Sequence, residues 1–145
     1  MPEDIRKEMK TRVKYIPKKL TTIVYIALIC VGALLAVSKW AGVFGGNFTI
    51  LPDEINSHIT NFSISLIFYL GVGYSWLLFR AKIRSIIILG LVLLAANFIC
   101  ETLMASMNTV DVVDAIYGTV GTIVGFVFLW VANKYGFLKE AGNEQ

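Results

Sequence analysis

Residues 20–37 read LTTIVYIALICVGALLAV, eighteen consecutive positions without an acidic or basic side chain. The hydrocarbon core of a bilayer is crossed by roughly 20 apolar helical residues. A lone segment there must satisfy its own backbone donors and acceptors, which a helix does. This block is therefore a spanning helix, starting after Pro17 and ending at Lys39-Trp40, where the Trp fits the interfacial aromatic belt. Seven Lys and Arg precede it in residues 1–19, against Glu3, Asp4 and Glu8. That charge would suit a signal peptide, but the apolar block exceeds a signal h-region and no small-residue cleavage site follows. The segment reads as an uncleaved first span.

Three further blocks repeat the pattern. The spans fall at about residues 20–39, 58–79, 85–104 and 112–133, forming one helical domain over 20–135 between tails at 1–19 and 136–145. Overall, 57% of residues are hydrophobic and 16% charged, and mean hydropathy is +0.71. Soluble domains hold about 45–50% apolar and 25% charged residues. The fold class is an all-α membrane protein with four transmembrane helices and no internal repeat.

Local signals set the element ends. Pro52 followed by Asp53 and Glu54 is a helix start, with carboxylates at the positive end of the dipole. That helix runs on as DEINSHITNF into the second span, so its first turns stand near the headgroups. Residues 41–52 form a glycine-rich turn along the surface, and Arg80, Lys82 and Arg84 a basic one. Asn108 reads as the N-cap of the fourth helix, with Asp111 at the capping-box position. Lys134 and Gly136 close that helix. Trp76 and Trp130 are belt residues. Cys30 and Cys100 lie at different depths, which predicts two free thiols packed as small hydrophobes rather than a disulfide.

Charge counting orients the chain. With both termini cytoplasmic, twelve of the thirteen Lys and Arg residues lie inside and only Lys39 outside. The opposite face then carries Asp53, Glu54, Glu101, Asp111 and Asp114. The chain is thus expected to be a multi-pass membrane protein.

The functional signal concentrates in residues 97–125, NFICETLMASMNTVDVVDAIYGTVGTIVG. On a helix, Asp111, Asp114, Gly118, Gly121 and Gly125 share a stripe about 80° wide at 100° per residue. Gly121 and Gly125 form a small-xxx-small pair that lets backbones approach in lipid. The expected partner of this seam is the first span, at Gly32 and Ala36. Glu101 falls about one turn inside the third span's end, with Asn97 about 6 Å deeper at 1.5 Å per residue. A carboxylate at that depth marks a functional site or a paired group. Facing Asp111 or Asp114, it would hold a proton or a cationic group. His58, the single histidine, follows Glu54 by one turn. One histidine with scattered carboxylates does not make a zinc site, so no metal or cofactor is expected. No nucleophile–base pair, phosphate loop or aromatic-basic nucleic-acid pattern is present.

With these residues in place, the chain resembles the VanZ-like family of small bacterial membrane proteins, named for a teicoplanin-resistance protein. Their pattern has a Glu at the outer end of one span and R-x-x-D-x-x-D-x-x-x-N-x-x-G-x-x-x-G opening the last. Glu101, Asp111, Asp114, Gly121 and Gly125 match it, as do Glu54 and His58 at an earlier span, so the likeness covers about residues 53–130. The family's Gln after the Glu is Met104 here, its Arg is Asn108 and its Asn is Gly118. Without the Arg, the carboxylates lack their natural partner. The resemblance implies a location in the bacterial plasma membrane and a cell-envelope role linked to glycopeptide resistance, without an assigned reaction.

The leading expectation is a non-enzymatic membrane protein. Its outward acidic cleft of Glu101, Asp111 and Asp114, with Asn97 and His58 nearby, binds a lipid headgroup, a cell-wall precursor or a glycopeptide antibiotic. The alternative is a small proton- or cation-coupled transporter working as an oligomer. A headgroup-acting enzyme with Glu101 as base ranks last.

Overall fold

A computed structural model describes residues 16–43, 51–104 and 111–138. Four helices make up nearly all of it: α1 (Lys19–Val43), α2 (Asp53–Leu78), α3 (Ile83–Met104) and α4 (Val112–Tyr135). All four are long and apolar enough to cross a membrane. Each expected span lies within one helix to within a residue or two at its ends; α2 starts at Asp53, as its Pro-Asp-Glu opening predicts.

The helices divide into an inner and an outer pair. About 44% of the most apolar window of α2 and 39% of that of α4 are buried, against 6% for α1 and 11% for α3. Few residues of the outer pair are fully buried, while α2 and α4 form the core. α4 makes its most extensive contacts with α2; α1 packs on α2 and α3 on α4. The α2–α4 pair is parallel. His58 meets Asp114, Phe62 meets Gly121, Tyr69 meets Gly125 and Gly73 meets Leu129, both sets of numbers rising together.

That register corrects one expectation. The glycine stripe does not face Gly32 and Ala36 of the first helix. Gly118 lies under Asn97 of α3, Gly121 against the Phe62 backbone, and Gly125 against the Tyr69 ring, while Gly32 packs on Ile67 of α2. Small-residue seams let backbones approach without naming the partner, and here the partner is the helix with matching bulk at Phe62 and Tyr69. Tyr69 is fully buried, its ring seated between Gly90 and Gly125, and its hydroxyl donates to the Ile86 carbonyl at 2.8 Å.

Backbone hydrogen bonds close the end of α2. Arg80 takes φ 61°, the left-handed conformation; its N–H donates to Leu77 O at 3.0 Å and that of Ala81 to Trp76 O at 2.8 Å. This is the two-bond Schellman closure, with an arginine where glycine is usual. Beyond it, β1 (Ile16–Pro17) pairs antiparallel with β2 (Phe137–Leu138), and the Lys18 N–H donates to Gly136 O at 2.8 Å. Tyr25 and Tyr74 stack at 4.1 Å near this end. Cys30 and Cys100 are both free, as expected, but exposed on the outer helices rather than packed inside.

Candidate functional site

The site lies at the opposite end of the bundle, where the inner helices begin. α2 rises from Pro52 with Asp53 and Glu54 in its first turn, and carries His58 into the α2–α4 groove. α4 begins at Val112 with Asp111 as its N-cap: Asp111 Oδ1 accepts the Val113 N–H at 3.0 Å. The cap is thus Asp111 itself and not Asn108, which lies outside the described residues. A carboxylate there accepts an otherwise unpaired N–H of the first turn and places negative charge at the positive end of the helix.

Starting the helix there sets its face. Asp114, in the first turn, points to α2, where the His58 Nδ1 lies 2.7 Å from Asp114 Oδ1. An ionised carboxylate only accepts, so this contact assigns the proton to Nδ1, which donates. The same ring nitrogen stands 3.6 Å from Asp111 Oδ2. The cap bond leaves Asp111 its second oxygen to aim at the imidazole. The Tyr117 ring lies 5.7 Å from the His58 ring, one turn below. All three acid–base groups are half-buried to exposed, with side-chain exposures of 21% for His58, 43% for Asp111 and 28% for Asp114. They open to the surface.

Asn97 belongs to the layer beneath. Its amide donates to Ser65 Oγ at 3.2 Å, and the Ser65 hydroxyl reaches Asn97 Oδ1 at 3.3 Å. A Cβ on Gly118 would fall 2.7 Å from that amide nitrogen, so the missing side chain at 118 is the space Asn97 occupies. Glu101, half-buried one turn from Asn97, makes no hydrogen bond or ion pair among the described residues and stands outside the cluster.

The five candidates therefore separate into His58 with Asp111 and Asp114, Asn97 below them with Ser65, and Glu101 apart. The carboxylates described as scattered along the sequence converge: one donor atom from each of His58, Asp111 and Asp114 lies within 4.8 Å of the others. Ser65 and Tyr117 were not anticipated. Ser65 could have been found from spacing, since 58, 62, 65 and 69 recur at helical intervals on one face of α2.

The cluster also carries a charge imbalance. Two carboxylates face one imidazole, and among the described residues no Lys or Arg pairs with either of them. Lys39, on α1, donates to the Ser57 carbonyl at 2.6 Å. The site is chemically an acceptor of positive charge or of hydrogen-bond donors. Compared with known families and proteins, the chain matches no family model, no curated protein and no solved structure.

Proposed function

We propose that this multi-pass membrane protein is a non-enzymatic binding protein of the bacterial cell envelope. Its cleft of His58, Asp111 and Asp114 takes a cationic or polar group, in a role like that implied by the VanZ-like resemblance. The observation that carries the reading is the approach of His58 to both aspartates from another helix, with no basic partner for the second carboxylate among the described residues. The twelve basic residues assigned to the other face favour an outward cleft, where a glycopeptide, a cell-wall precursor or a lipid headgroup is met. Cation-coupled transport is less well supported. Below the Ser65–Asn97 pair the α2–α4 interface is packed with buried Leu66, Tyr69, Leu70 and Leu129, and no Asp, Glu, Lys, Arg or His is buried there among the described residues.

The test is Asp114→Asn in the inserted protein. Charge-assisted hydrogen bonds contribute about 1.5–3 kcal/mol, so ligand retention should fall roughly 10- to 100-fold. Mass spectrometry of co-purified lipids and small molecules, with glycopeptide susceptibility of the host cells, reads the change. Identical retention and susceptibility in a well-folded variant would sink the proposal.

A further inference from the structure

We propose that His58, Asp111 and Asp114 form the site of one divalent transition-metal ion of the zinc type. This deepens the reading above, on which it rests: the cation taken by the cleft is a metal ion.

The distances suit an ion. Zinc bonds to imidazole nitrogen and carboxylate oxygen are about 2.0–2.2 Å, which at tetrahedral angles puts neighbouring donors about 3.3–3.6 Å apart. The His58–Asp111 separation of 3.6 Å falls at the upper end of that spacing, and the His58–Asp114 separation of 2.7 Å lies below it. Small side-chain rotations therefore open the cluster around an ion without moving either helix.

The hydrogen bonding supplies a second argument. A single Nδ1 proton serves Asp114, and at 3.6 Å it does not serve Asp111. Asp111 nevertheless directs its free oxygen at the same nitrogen while its other oxygen is tied to the Val113 N–H. Anchored ligands of this kind are a feature of metal sites. A divalent ion engages all three donors and balances both carboxylates. To ligate, His58 adopts the neutral Nε2–H tautomer: solvent takes up the Nδ1 proton, Nε2 carries the ring's one remaining proton, taken from solvent if that nitrogen was bare, and the freed Nδ1 lone pair binds the ion. An imidazole in the set favours zinc-type ions over magnesium or calcium. Three protein ligands leave a coordination position open for an external donor.

The experiment uses the untagged full-length chain in detergent, carrying Cys30→Ser and Cys100→Ser so that thiols do not contribute. Zinc is added, excess is removed by dialysis, and metal per chain is measured by elemental mass spectrometry. One zinc per chain is expected. His58→Ala and Asp114→Asn should weaken zinc binding at least tenfold to a hundredfold, the range already seen when only a ligand's support is removed. Asp111→Asn keeps a capping side chain, so it tests the third ligand in a folded helix. Asp53→Asn should bind as the parent does. No retained zinc in folded parent protein, equal retention in His58→Ala, or displacement by calcium would each overturn the inference. Co-purified ligand in metal-free protein reads the earlier proposal separately. Its dependence on Asp114 without any zinc binding would overturn the metal and keep the cleft.

Discussion

Gly121→Ala should destabilise the bundle by on the order of 3 kcal/mol, the upper part of the usual range for overpacking a close-packed interior, and Gly121→Val should not yield folded protein. The reason is the nature of the obstacle. A Cβ at Gly121 runs into the Phe62 carbonyl oxygen, a backbone atom that moves only if α2 moves. A control sits on α2 itself: a Cβ at Gly71 has nothing within 4 Å, so Gly71→Ala should be neutral or slightly stabilising. Thermal unfolding in detergent, followed by loss of the monodisperse peak, checks both. Equal midpoints for Gly121→Ala and the parent would remove the close α2–α4 contact. The substitution should also reach the site. Phe62 lies one turn from His58, and prising the helices apart there lengthens the 2.7 Å His58–Asp114 contact.

Tyr69→Ala should cost about 3–5 kcal/mol, as for other buried aromatic truncations. Its ring is wholly buried and fills the gap between Gly90 and Gly125, so removal leaves a hole spanning three helices. Tyr69→Phe keeps the ring and loses only the hydroxyl bond to Ile86 O, a loss of about 1 kcal/mol. The ratio of the two effects is the test. Similar losses for both would mean that the hydrogen bond, not the packing, holds α3 to the inner pair.

These two residues show where sequence reading ended. The four spans were legible because apolar blocks of this length admit one solution in lipid, and the Pro52-Asp53-Glu54 start was legible because capping chemistry is local. Helix neighbours were not. Glycines at 118, 121 and 125 announce a seam but carry no side chain that selects Phe62, Tyr69 or Asn97 over Gly32. His58 read as an isolated histidine because its partner lies 56 residues away. Glu101 drew most weight from its depth, yet α3 brings Asn97 to the seam and leaves Glu101 beside it. Spacing alone makes Asn108 the N-cap of α4, but the helix begins at Val112 and Asp111 caps it.

The short strand pair at the far end has a consequence for how the chain can be cut and rejoined. Because Ile16 lies opposite Leu138 in that pair, the two flanks of the bundle are already adjacent, and a linker of a few residues would join them. New ends opened between α1 and α2 would then give a circular permutant in the order α2, α3, α4, α1. That chain would keep the α2–α4 zipper intact and make the weakly buried α1 the last helix to dock.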